Sequence, residues 1–337
     1  ITPGSGPAHL SLFGYDPLKY LLGRGILEAI GVGAEVGKDD LVARGNFATL
    51  QDSLIVDRRA GRIPTSENVK LCQRLNNQLK PIDEAKIELY PGKEHRFVVK
   101  FSRQGLSDSL TDADPQKENK PRIYTRPLSS QAKETAKIVN TFLDETTKLL
   151  QSSNKVNTIL LRGFSKHPSL PTMDELYKLK PAAIANYPMY KGLAELVGME
   201  ILNADPEPKD LFDTLDKHYS QYDFFYVHFK KTDAAGEDGN FEAKKDSIEE
   251  IDRYIPRLLT LKPEVLVVTS DHSTPSLLGS HSWHPNPFIL CAQTAQQDKV
   301  REFNERECAQ GYLGRFQAIF SMPLMLAHAE KLKKFGA

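Results

Sequence analysis

From residue 129 onward, amphipathic segments and short apolar runs alternate along the chain. SSQAKETAKIVNTFLDETTKLLQ precedes TILL, and YKGLAELVG precedes MEIL. LFDTLDKHY then precedes FFYVHF, and KKDSIEEIDRYIPRLL precedes VLVVT. Helix-period segments feeding short, continuously apolar strands predict a parallel sheet covered on both faces, and so an α/β class. The same pattern predicts where function lies, because ligands of such sheets bind beyond the carboxyl ends of the strands.

Residues 37–128 break the alternation. LVARGNFATL and SLIVDRRAGRI read as strands joined by a turn, SENVKLCQRLNNQL as a serine-capped helix, and IELYPG with HRFVVKFS as a hairpin. QGLSDSLTDADPQKENKPRIYTRPL is polar and proline-bearing, which predicts a linker. The 337 residues exceed the usual size of one domain. The expected organisation is a core from 1–36 and 129–337, interrupted by a smaller α+β module at 37–128. The first segment reads as Gly-rich and then helical around PLKYLLGRGILEAIG.

Composition narrows the partners. With 44 basic and 44 acidic residues the formal charge is zero, so bulk charge supports neither nucleic-acid nor anionic-membrane binding. Cys72, Cys291 and Cys308 are odd in number and widely spaced, which argues against a disulfide framework and for a reducing cytoplasm. No apolar stretch reaches membrane-spanning length, and no signal peptide is visible.

The loop after VLVVT reads SDHSTPSLLGSHSWHPNP and gathers Asp271, His272, His281 and His284 at an expected strand end. FFYVHF leads into KKTDAAGEDG, where Asp233 and Glu237 share one face if a helical turn begins there. A loop histidine is commonly just solvated, and an acidic loop is commonplace. Two strand-end clusters of carboxylate and imidazole in one sheet favour metal binding, with Mn²⁺ or Zn²⁺ suited better than Ca²⁺ and enough groups for two ions. Ser5 in TPGSGPAH lies between small residues ahead of a helix-like stretch, where amides favour a phosphate, so it is the candidate nucleophile. Arg44, Arg58 and Arg59, flanked by small and apolar residues, are candidates to bind carboxylate or phosphate, whereas Arg62 reads as a surface ion-pair residue.

Taken in order, TPGSGPAHLSLFGYDP, GRGILEAIG, LVARGNFAT, VDRRAGRI, LSDSLTDADPQ, KPAAIANYPMYKGLAELVGM, KKTDAAGEDGNFEAK and SDHSTP with HSWHPNP cover nearly the whole chain. They resemble the blocks of the cofactor-independent phosphoglycerate mutases, in the archaeal-type branch of the alkaline phosphatase superfamily. The resemblance implies an alkaline-phosphatase-like parallel-sheet core with an inserted substrate-binding domain. It implies interconversion of 3-phosphoglycerate and 2-phosphoglycerate without 2,3-bisphosphoglycerate, on two divalent ions, Mn²⁺ or Zn²⁺ ahead of Mg²⁺ or Co²⁺. Ser5 falls on the phosphorylated serine, and Asp233, Glu237, Asp271, His272 and His281 fall on the metal ligands. His281 is preferred to His284 because it precedes Pro285 of the P-x-P by four residues. Arg44, Arg58 and Arg59, then Arg96, fall on substrate-binding arginines, and Lys191 on a phosphate contact. The inserted domain is expected to close and exclude water from the phosphoserine.

Three departures from the family pattern stand out. Gly6 follows the nucleophile where many members have Asp, and Glu237 stands where many have His. The family's first strand, with its metal-binding Asp, is not among these residues, so further residues are expected before Ile1. The alternative function is another metal-dependent phosphatase or phosphomutase of the same superfamily.

Overall fold

The computed structural model describes residues 2–20, 22–153 and 155–334. The chain forms two compact units, Ile1–Leu21 with Leu170–Ala337, and Leu22–Ser169. These boundaries differ from the composition shifts at 37 and 128: the second unit takes in the GRGILEAIG helix before the expected insert, and the long helix and TILL strand after it.

The first unit opens with helix α1 (Ser5–Leu12), entered from Gly4 in extended conformation. The second unit begins with α2 (Arg24–Gly31), shorter than the expected helix because Gly23 starts it. Next come β1 (Asp40–Gln51), β2 (Leu54–Asp57), α3 (Thr65–Gln78), β3 (Lys86–Pro91), β4 (Arg96–Ser102), β5 (Lys120–Pro121), α4 (Lys133–Leu150) and β6 (Thr158–Lys166). The six strands form one antiparallel sheet in which β1 pairs with β4, β6 and, at its end, β2. The expected hairpin is present as β3–β4. The α3 cap differs from expectation: Pro64 holds the cap position with no side-chain bond, and the Thr65 hydroxyl instead accepts from Glu94 N–H.

The α4 face bearing Ile138, Val139, Phe142, Thr146 and Leu150 recurs at three- and four-residue steps and is buried. It packs in one core with Phe47, Phe97, Phe101 and Leu161. TILL therefore belongs to this antiparallel sheet and not to the parallel one. A four-residue apolar run marks burial on both faces but carries no information about its partner. The expected linker 104–128 is packed: Leu106, Leu110, Ala113, Asp114 and Thr125 are buried, and Ala113 bridges Leu161.

The first unit resumes with α5 (Met173–Tyr177), β7 (Pro181–Ile184), α6 (Pro188–Leu196), β8 (Glu200–Ile201), α7 (Pro208–His218), β9 (Phe224–Val227) and α8 (Lys231–Glu237). It continues through α9 (Phe241–Asp252), α10 (Ile255–Thr260), β10 (Val265–Thr269), β11 (Phe288–Ala292), α11 (Glu305–Cys308) and α12 (Ser321–His328). Proline at the start of α6 and α7 uses a position whose N–H needs no helical partner. β8, β7 and β9 form a parallel sheet, with Ala182, Ile184, Leu211, Phe212 and Leu215 in its core. VLVVT, expected in that sheet, pairs antiparallel with β11 instead. Among the described residues no helix is long and apolar enough to cross a membrane.

Candidate active site

The first unit brings three separate stretches of sequence to one point. Ser5 opens α1, where unpaired amides and the helix dipole favour an anion. Its Oγ lies 2.9 Å from His272 Nε2. One turn on, the buried His9 sets Nδ1 2.8 Å from the Ser5 carbonyl and 3.3 Å from Asp271 Oδ2. Asp271 and His272 follow β10, as its carboxyl end predicts, and a bridge between Ser273 and Ser282 folds the loop back so that His281 returns. The His272 and His281 rings stack at 3.6 Å.

Asp233 and Glu237 lie on α8, just after β9, with the helical i, i+4 spacing expected. His281 Nε2 is 3.9 Å from Asp233 Oδ1 and 3.5 Å from Glu237 Oε1. The ligand atoms of Asp233, His272 and His281 all lie within 4.8 Å of one another, a grouping able to hold a metal ion. Helix α8 meets the loop after β10 so closely that a Cβ on Gly236 would lie 2.3 Å from the Thr274 carbonyl. Thr274 Oγ1 donates to Asp233 Oδ1 at 2.5 Å and sits 3.0 Å from His272 Nδ1.

Electrostatics sharpen the picture. Burial would raise the Asp233 carboxyl, but hydrogen bonds from Lys230 and Thr274 outweigh it and hold it below its ordinary value. Burial, then the charge of His9, lowers the His228 imidazole to about 3, so it is neutral at physiological pH. Asp271 Oδ2, His228 Nδ1 and the Tyr226 hydroxyl are buried without a hydrogen-bond partner among the described residues. An unpartnered buried carboxylate oxygen beside two imidazoles is the donor chemistry of a cation site.

Other candidates lie elsewhere. His284 bonds to Ser282 Oγ and stacks on the exposed Trp283, away from the grouping. Lys191 Nζ donates to Asn203 Oδ1. In the second unit Arg44 pairs with Glu28 at 2.9 Å and faces Arg162 across the β1–β6 ladder. Arg58 is gripped bidentately by the buried Asp114, at 2.9 and 2.6 Å. Arg59 and Arg96 are exposed. Sequence reasoning did not single out His9, Thr274, Lys230, Asp114 or Arg162. The i+4 step from Ser5 to His9 and the hydroxyl two residues beyond His272 were the available signals for the first two.

Comparisons with known proteins identify the family. The profile of the family described as 2,3-bisphosphoglycerate-independent phosphoglycerate mutase matches residues 1–157. A probable 2,3-bisphosphoglycerate-independent phosphoglycerate mutase of Thermosipho africanus is 56% identical over all of this chain and 84% of its own length. One of Thermotoga maritima is 53% identical over the same shares. Of solved structures, a protein from Pyrococcus horikoshii superposes with a TM-score of 0.83 at 28% identity, covering 100% of this chain and 86% of its own. The cofactor-independent phosphoglycerate mutase of Thermoplasma acidophilum does so with a TM-score of 0.76 at 30% identity, covering 98% and 88%. With more than half its residues identical to such a relative along its full length, the chain belongs to the 2,3-bisphosphoglycerate-independent phosphoglycerate mutases.

Proposed function

We propose that Ser5 carries the phosphoryl group in the interconversion of 3-phosphoglycerate and 2-phosphoglycerate that this family catalyses. The observation that carries the reading is the Ser5 hydroxyl 2.9 Å from His272 Nε2, an imidazole that groups with Asp233 and His281 and lies 3.1 Å from Asp271 Oδ2. Ser5 Oγ forms a bond to phosphorus as the substrate oxygen leaves. The other hydroxyl of the retained glycerate then attacks phosphoserine and takes the group back. Amides at the start of α1 face the charge that gathers on the transferring oxygens.

The donor set fits divalent metal. Asp233, Glu237 and His281 would hold one ion, and Asp271 with His272 a second, beside the unpartnered Asp271 Oδ2. Carboxylate and imidazole donors suit Mn²⁺ or Zn²⁺ ahead of Mg²⁺ or Co²⁺. When bound, such ions supply positive charge that acidifies a serine hydroxyl and offsets charge on phosphoryl oxygens. The first unit is the alkaline-phosphatase-like core of this reading, and the second unit is the substrate-binding domain. Arg44, Arg59 and Arg96 are assigned to the substrate's carboxylate and phosphate. Arg58 joins them through the fork that Asp114 orients, and Lys191 serves as a phosphate contact.

Ser5→Ala tests the proposal. The variant is expected to lose mutase activity, to keep divalent metal binding, and to retain no label from phosphorylated substrate after acid quench. Activity above a few per cent of wild type, or label still bound, removes Ser5 from the reaction.

A further inference from the structure

Helix α8 and the loop after β10 meet through one buried hydroxyl. Thr274 is 3% exposed, and its Oγ1 touches both Asp233 Oδ1 at 2.5 Å and His272 Nδ1 at 3.0 Å. Oxygens that close together need a proton between them, since 2.5–2.7 Å is the range of an O–H···O⁻ bond. Asp233 is a carboxylate at neutral pH and has no proton to give, so the proton is that of Thr274. A hydroxyl has one proton, so toward His272 the Thr274 oxygen can only accept. A neutral imidazole carries one N–H, and this contact places it on Nδ1.

We infer that Thr274 is a positioning residue: by donating to Asp233 it holds His272 as the Nδ1–H tautomer and turns the bare Nε2 lone pair toward Ser5. The inference rests on the reading that Ser5, Asp233 and His272 form the reaction centre. The opposite tautomer would set a bare Nδ1 against the Thr274 oxygen at 3.0 Å while that hydroxyl donates to Asp233. In the Nδ1–H tautomer the bare Nε2 faces Asp271 Oδ2 at 3.1 Å. Two acceptors facing each other at this distance are a place for a cation, and the direction of one hydroxyl proton keeps it so.

The test uses the full chain carrying ring-¹⁵N histidine, freed of metal by chelation. The His272 signals are assigned by their loss in His272→Gln. Wild type and Thr274→Ser, which keeps the hydroxyl, are expected to show the Nδ1–H pattern. Thr274→Val is expected to move toward Nε2–H and to weaken Mn²⁺ binding by calorimetry roughly tenfold or more, with Thr274→Ser restoring it. An Nε2–H pattern in wild type overturns the inference, whatever the variants do. So does a Val variant that keeps both the Nδ1–H pattern and Mn²⁺ affinity. Failure of the phosphoserine reading is separate: it appears as no label on Ser5 while the tautomer pattern stands.

Discussion

Glu237 stands at the open side of the grouping, 51% exposed, with Oε1 3.5 Å from His281 Nε2. In the proposed ligand set, a carboxylate there binds at a bond length similar to an imidazole's but adds negative charge, which favours harder ions such as Mn²⁺. Glu237→Ala is expected to weaken one metal equivalent by about tenfold and leave the other near wild type, as read by metal stoichiometry. Full occupancy with near-normal turnover would place Glu237 outside the ligand set. Arg58 makes a different case, because one edge of its guanidinium, Nε and Nη2, is committed to Asp114. Lysine cannot reproduce that fork, so Arg58→Lys is expected to destabilise the second unit by about 1–3 kcal/mol. An unchanged urea midpoint with a raised KM would show that the arginine serves substrate alone. The acids and imidazoles of the centre were legible because they cluster after two apolar runs. Thr274 was not, because a threonine declares itself only through what it touches.

At the scale of elements, β1 carries the second unit, with neighbours on both edges. Gly45 opposes Phe97 in the β1–β4 ladder, and a Cβ there would lie 2.2 Å from the Phe97 ring. The ring fills the space that the glycine leaves and packs on Phe47 at 4.7 Å. Gly45→Ala is expected to cost about 1–3 kcal/mol by overpacking, read as a lower urea midpoint with an unchanged slope. An unshifted midpoint would show that the ring yields freely. The hairpin β3–β4 and helices α3 and α4 were readable because local period and turn residues specify them. The partner of TILL was not, since β6 meets β1 across more than a hundred residues of chain.

For the molecule as a whole, acid sensitivity follows from a buried histidine. His95 is 3% exposed, and its Nδ1 has no hydrogen-bond partner among the described residues, with Glu94 Oε2 3.9 Å away. Burial, then the charge of Arg96, lowers its pKa to about 4. The unfolded chain therefore binds a proton that the folded chain refuses between about pH 6.5 and 4, and stability falls as pH drops through that window. The loss from this residue is on the order of 2 kcal/mol by its lower end. His95→Gln is expected to flatten the decline, measured as denaturant midpoints at pH 7 and 4.5. Parallel curves for variant and wild type would assign the acid sensitivity elsewhere.

What the amino-acid order determined by itself was local. Apolar period set most helices and strands, strand-end position marked Asp233, Glu237, Asp271, His272 and His281 as candidates, and small neighbours ahead of a helix marked Ser5. Small flanking residues singled out the arginines. What only the tertiary structure decided was pairing. VLVVT joined β11 antiparallel, residues 104–128 packed as part of a unit, and Asp114 took the Arg58 fork. Periodicity reports which face of an element avoids water, but not which other apolar surface covers it. That choice is made among distant segments competing for the same burial, and it is also what aims one threonine's proton at Asp233.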